Sequence, residues 1–150
     1  MSGYDDASRQ QKLLDAFPGA SRVDVGSASV DHVSRLYELA GYEVGAELRG
    51  FLEEYRECSI LWMYREMEDG VRIDAERALS FYPGNIRVFS QRVGRPLIPI
   101  GSAFETEEVV LIASDGDVFL AGDPGIQYVG NGFKQSMQAM ISGNWDKTFF

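Results

Sequence analysis

Arg95–Ala121 reads RPLIPIGSAFETEEVVLIASDGDVFLA, and the fold class follows from it. Val109–Ala113 (VVLIA) and Val118–Ala121 (VFLA) are apolar runs separated by Ser114, Asp115, Gly116 and Asp117. Asp-Gly between β-prone runs signals a tight hairpin, because a type I′ turn needs positive φ at both central positions. Both arms are apolar at every position, so both of their faces are expected to be covered and the pair to lie inside a sheet. Upstream, Pro96 and Pro99 each remove a backbone donor, which predicts an edge segment or a strand entry around Leu97 and Ile98. Gly101 is expected to turn the chain into Ser102–Glu108.

Working outward on the N-terminal side, Ser8 is placed to cap a short helix running to Phe17, with Leu13, Leu14 and Phe17 inward, and Pro18-Gly19 stops it. Arg22–Val25 alternates as a short strand. Ser29 is a good helix cap, and Val30, Val33, Tyr37 and Ala40 form one helical stripe that ends at Gly41. A second helix spans about Gly45–Glu57, with Leu48, Phe51, Leu52 and Tyr55 inward. Ser59–Arg65 is apolar on both parities and reads as a buried strand. Glu66–Gly70 is expected as the following turn, with Asp69-Gly70 as the hairpin signal, and Val71 and Ile73 alternate on the return. Asp74 and Asn85 are each expected to cap a helix, the second carrying Ile86, Phe89 and Val93 inward to a stop at Gly94. Beyond the central stretch, Asp123-Pro124-Gly125 is a turn and Ile126–Val129 a final strand. Asn131 is expected to cap a last helix with Phe133, Met137, Met140 and Ile141 on one face. These elements form an α+β domain with a mostly antiparallel sheet and helices around it. It is a single domain over residues 1–150, with residues 1–6 and 146–150 as frayed tails.

The chain has 150 residues, of which 45% are apolar. A domain of that size buries roughly 70% of its unfolded surface and needs no covalent staple. One cysteine excludes an internal disulfide and fits a reducing compartment. Met1 is followed by neither a basic nor an apolar signal region, and no apolar run reaches the ~20 residues of a membrane span. The cytoplasm is the expected compartment. The net charge of −9 argues against direct contact with nucleic acid or an anionic membrane, and favours a basic partner.

Nothing points to catalysis or to a cofactor. His32 is the sole histidine, no other residue stands at metal-ligand spacing from it, and it falls beside a packed helical stripe. Cys58 follows a helix C-terminus, where the dipole opposes a thiolate. The glycines match no nucleotide-binding pattern. Two acidic clusters remain as candidate partner-binding residues: Glu66, Glu68 and Asp69 in one strand turn, and Glu105, Glu107 and Glu108 before the central strand. Loops at sheet ends commonly carry binding residues, and a basic partner would relieve the repulsion among these carboxylates.

The order of FPGASRVDV (17–25), FLEEY (51–55), RVGRPLIPIG (92–101), VLIASDGDVFL (110–120) and VGNGF (129–133) resembles the SUKH superfamily, and within it the third immunity group. The resemblance spans roughly Asp15–Trp145, with PLIPIG followed by the Asp-Gly hairpin as its most specific part. The chain departs from the group in having Ala16-Phe17 where a Gly-Trp step is common, and Glu57-Cys58 where a Gly-Leu pair is common. The resemblance implies an α+β fold and an immunity protein. Such a protein binds a cognate bacterial polymorphic toxin, a nuclease or deaminase with a basic cleft, and neutralises it by stoichiometric occlusion. The family shares no catalytic residues, so none is carried over. Two other readings stand beside it. One is a non-catalytic scaffold of the same fold that binds a host regulatory protein; the other is a small hydrolase, against which the missing histidine cluster counts.

Overall fold

The computed structural model describes residues 3–150, with side chains from Asp6 onward. Six helices and seven strands follow one another as α1 (Gly3–Ala16), β1 (Arg22–Val25), α2 (Val30–Leu39), α3 (Ala46–Tyr55), β2 (Cys58–Tyr64), β3 (Met67–Ile73), α4 (Ala75–Leu79), α5 (Pro83–Val93), β4 (Leu97–Ala103), β5 (Val109–Ala113), β6 (Asp117–Gly122), β7 (Gly125–Asn131) and α6 (Phe133–Ser142). The strands form one sheet in the order of the chain, and every neighbouring pair is antiparallel. The α+β class and the antiparallel sheet expected from the sequence are therefore observed.

The two faces of the sheet carry separate cores. Val110, Val118 and Leu120 face a large core shared with α1, α2, α3 and α6. Val109, Leu111, Phe119 and Ala121 face a smaller core closed by Ile86, Phe89 and Val93 of α5. This is the two-sided burial that the uninterrupted apolar runs imply, since successive strand side chains point to opposite faces. Phe17, Phe51, Tyr55 and Phe133 tie α1, α3 and α6 together, with ring centroids 4.5 Å apart for Tyr55 and Phe133 and 5.1 Å for Phe51 and Phe133. Edge-to-face and tilted pairs of this kind add about 1 kcal/mol each to the area they bury.

Several local expectations are corrected. Helix α1 begins at Gly3, ahead of Ser8, so residues 3–6 form its first turn; residues 1 and 2 lie outside the described residues. Helix α5 starts on Pro83 at its first position, with Tyr82 as the cap in place of Asn85; proline suits that position because its missing donor has no partner there. Asn131 belongs to β7, and Gly132 precedes α6. The central hairpin closes through Ser114-Asp115-Gly116. The Gly116 N–H reaches the Ala113 carbonyl at 3.0 Å, and of the three loop residues only Gly116 has positive φ, at 94°. This is a three-residue loop ending on a left-handed glycine, not a type I′ turn.

Pro96 stands at the entry to β4, as expected, but Pro99 lies inside the strand. β4 is the fourth of seven strands and not an edge. Its register shifts between Pro99 and Gly101, and its pairing with β3 reaches only from Gly101 to Ala103. The Pro99 carbonyl accepts a hydrogen bond from the Tyr37 hydroxyl at 2.7 Å. Pro99 thus sits beyond the end of β3 and at the irregularity in the β4–β5 register, and a bulge is one of the few places in a sheet interior that accepts proline. Gly101 does not turn the chain. It pairs with both Ile73 and Val110, and a Cβ there would stand 2.0 Å from the Arg72 carbonyl oxygen.

Both sheet edges are partly covered. Along β1, Gln10 donates to the Val23 carbonyl, while the Arg9 guanidinium donates to the carbonyls of Arg56 and Glu57 at 2.8–3.1 Å. On the far side, Ile126 and Phe150 exchange backbone hydrogen bonds of 3.2 and 2.9 Å. The segment after α6, expected as a frayed tail, thus returns to β7 and covers part of its free edge.

Candidate partner-binding surface

The first acidic cluster is set by a hairpin turn different from the expected one. β2 and β3 pair from Cys58↔Ile73 to Tyr64↔Met67, which leaves Arg65 and Glu66 as a two-residue turn. Both have positive φ, 49° and 68°, the signature of a turn whose twist matches the strands. Asp69 and Gly70 lie within β3 instead. Gly70 is needed for space: a Cβ there would sit 2.7 Å from the Ile60 carbonyl oxygen and 3.2 Å from the Phe104 ring.

Strand alternation then divides the cluster. Asp69 pairs with Trp62 and Glu68 with Met63, so the two acids point to opposite faces, and Glu66 stands at the tip. Glu68 lies 3.3 Å from the guanidinium of Arg22, which also meets Asp24 at 3.2 Å. These exposed pairs are worth about 0–1 kcal/mol. Met63, Tyr64 and Met67 are exposed beside the tip, at 57%, 45% and 68%, and Arg65 lies over the Tyr64 ring at 5.2 Å.

The second cluster lies in the β4–β5 loop, closed by the Ala103 N–H on the Glu108 carbonyl at 2.9 Å. Glu107 has φ of 57°. The loop is brought against β3 because Ala103 pairs with Val71 and the Phe104 N–H reaches the Gly70 carbonyl at 2.9 Å. One acid of the first cluster, Asp69, is therefore brought beside two of the second, Glu105 and Glu108, at one end of the sheet, while Glu66, Glu68 and Glu107 stand outside the shared groove. Asp69, Glu105 and Glu108 line a single groove of about 290 Å³. Its other walls are Trp62, Tyr64, Leu120, Met140, Trp145 and Phe149, with Gln127 and Lys147 beside them. Among the described residues, Glu66, Asp69, Glu105, Glu107 and Glu108 make no ion pair within 4.0 Å.

Strain is concentrated in the same loops. Among the described residues four non-glycines have positive φ: Glu57, Arg65, Glu66 and Glu107. Glu57 is held there by packing, its carboxylate accepting from the Ala28 N–H at 2.8 Å and its carbonyl from Arg9. The other three occupy the two acid-bearing loops, each at a cost of about 1–2 kcal/mol for an L-residue.

The catalytic candidates are placed elsewhere. His32 is exposed in the first turn of α2, its N–H on the Ser29 hydroxyl at 3.1 Å. Cys58 is 3% exposed and its thiol donates to the Tyr55 carbonyl at 3.1 Å. Burial pushes that thiol up to about 12, against a weaker downward pull from Arg9, which leaves it unreactive at neutral pH. Among the described residues no group of three His, Cys, Asp or Glu side chains is placed to hold a metal, and no helix is long and apolar enough to cross a membrane.

The sequence reading missed the aromatic half of this surface. Trp62 is in the buried strand that the sequence predicts, but nothing in the sequence sets Trp145 beside it. No periodicity links residues so far apart, and only the return of the chain after α6 brings them together.

Fold and surface together define the class: an α+β domain with a meandering antiparallel sheet, which carries an acid-lined groove at one sheet end. The model of the SUKH-3 immunity protein family matches residues 23–143, and the chain belongs to that family. The resemblance in the sequence is thereby confirmed at both levels, superfamily and third group. No curated protein and no solved structure matches the chain. Membership supports an immunity protein role, with a cognate toxin as the implied partner.

Proposed function

We propose that the protein neutralises a cognate bacterial polymorphic toxin by binding it stoichiometrically, with the acidic end of the sheet entering a basic cleft of a nuclease or deaminase. One observation carries this reading: Asp69 of one acidic cluster is brought beside Glu105 and Glu108 of the other at one sheet end, near exposed Met63, Tyr64 and Met67. Carboxylates there steer a basic partner, and the apolar side chains supply contact area once it arrives. Glu66, Asp69, Glu105, Glu107 and Glu108 carry the steering, and Glu68, already beside Arg22, carries less. The protein needs no catalytic group for this role and acts in the cytoplasm, where an incoming toxin finds its substrate.

The test is growth of cells expressing the toxin domain encoded beside this gene, with and without this chain. Rescue by the wild-type protein, together with an association rate that falls roughly tenfold or more when those five acids are made amides, is the expected result. Rescue with an unchanged association rate would remove the acidic rim from the interface, and failure to rescue any neighbouring toxin would favour the scaffold reading.

A further inference from the structure

The groove already holds a cation of its own. Lys147 Nζ lies 4.4 Å from the centroid of the Trp145 ring, and both residues belong to the groove lining. Three carboxylates, from Asp69, Glu105 and Glu108, share that lining with this one ammonium. Glu108 Oε2 and Trp145 Nε1 are buried, and among the described residues neither has a hydrogen-bond partner. An orphaned carboxylate oxygen in partial burial is costly, and a charged donor is what most relieves it.

We propose that this groove seats one arginine side chain of the protein partner, which enters by displacing the Lys147 ammonium from Trp145. Arginine fits better than lysine because its planar guanidinium stacks on an aromatic face while its N–H groups fork onto a carboxylate. The walls at Trp62 and Tyr64 cover its aliphatic stem. The exchange needs no unfolding, because Lys147 is held by its carbonyl, which accepts from the Gln127 amide at 2.6 Å, and its side chain is free to swing away.

The inference rests on the reading that the protein binds another protein, but its test needs no toxin. The chain has two tryptophans, Trp62 and Trp145, and both line the groove, so intrinsic fluorescence reports on it directly. The probe is an end-blocked Gly-Gly-Arg-Gly-Gly peptide, titrated against the same peptide with the neutral isostere citrulline. The expected result is a saturable fluorescence change with the arginine peptide and binding roughly tenfold weaker with citrulline. Lys147→Met is expected to tighten the arginine peptide about threefold or more by vacating the site, and Glu108→Gln to weaken it, with unchanged circular dichroism for both. No saturable response in either the wild type or Lys147→Met, or equal responses to the two peptides, would overturn the proposal. Toxin neutralisation without arginine-peptide binding would sink the groove and leave the immunity reading standing. Peptide binding without neutralisation would support the groove and count against that reading.

Discussion

Replacing Gly101 by alanine tests the centre of the sheet. The added Cβ would stand 2.0 Å from the Arg72 carbonyl oxygen and 3.0 Å from both the Arg72 carbonyl carbon and Ile73 Cδ1. The nearest obstacle is backbone, so no side-chain rotation relieves it, and β3 and β4 must separate. Their joint is thin: β3 and β4 share three register pairs, against seven between β2 and β3. Overpacking in a core costs about 1–3 kcal/mol, and a rigid obstacle puts this case near ~3 kcal/mol. In a domain of this size that lowers Tm by roughly 6–12 °C. Gly50→Ala is the matched control. Gly50 lies exposed within α3, and an added Cβ would meet nothing within 4 Å. Alanine there gains about 0.5–1 kcal/mol of helix stability, raising Tm by roughly 1–4 °C. Thermal unfolding by circular dichroism, with urea titration for the free energy, reads both variants. A Gly101→Ala protein as stable as the wild type, or a Gly50→Ala protein equally destabilised, would refute the account of why this glycine is where it is.

Two further outcomes follow from the loops. Asp117 accepts from Arg95 at 2.7 Å, Asn131 at 2.8 Å and the Tyr128 hydroxyl at 3.2 Å. Burial alone would raise its carboxyl, but the bonds from Asn131, Arg95 and Tyr128 outweigh it and hold the group below its ordinary value. A depressed folded-state value means the stabilisation is full above the unfolded-state pKa of about 3.9 and is lost as pH falls through the folded-state value. Asp117→Asn is therefore expected to cost about 1–2 kcal/mol at pH 7 and progressively less below about pH 4; urea titrations across that range showing a pH-independent difference would contradict it. Glu66→Gly removes a left-handed L-residue penalty of about 1–2 kcal/mol against a glycine entropy cost of about 0.5–1 kcal/mol. The variant should melt roughly 1–4 °C higher, and a lower Tm would show that Glu66 is held by something other than the turn.

Much of the fold was legible because period and capping agreed with tertiary packing. The apolar arms of β5 and β6, the Ser29 and Asp74 caps, Val33 and Tyr37 of α2, and the inward residues of α3 and α6 are placed as their sequence spacing requires, whereas Ala40, expected on the α2 stripe, is the exposed residue after that helix. The misreadings at Gly70 and Gly101 share one physical cause. Glycine is selected either for positive φ or for a missing Cβ, and a single sequence does not separate the two. Gly70 and Gly101 read as turn residues in the sequence and are strand residues pressed against a neighbouring backbone. Pro99 is a related case: proline needs a place where the ladder asks no bond of its nitrogen, and the irregularity beside the early end of β3 supplies one in mid-sheet as an edge would.

The acidic residues were legible as types and not as a site. Glu68 and Asp69 are adjacent in sequence yet lie on opposite faces, while Asp69 and Glu105, thirty-six positions apart (105 − 69), share a groove. Their meeting depends on the Gly70–Phe104 backbone contact, which no spacing rule encodes. What the backbone adds is a distinction among acids. A solvated face of carboxylates needs no special conformation, because ordinary turns and helices display charge at no cost. Here two of the acids, Glu66 and Glu107, are carried in left-handed backbone, in loops where a glycine or asparagine would be cheaper. The strain brings no local bond in return: among the described residues neither Glu66 nor Glu107 makes an ion pair. If acidity served solubility alone, these two positions would be the least economical places to put it, since any exposed helix position would add the same charge without strain. The placement is understood if the carboxylates must stand at that sheet end, which is what contact with a basic partner requires and what solubility does not.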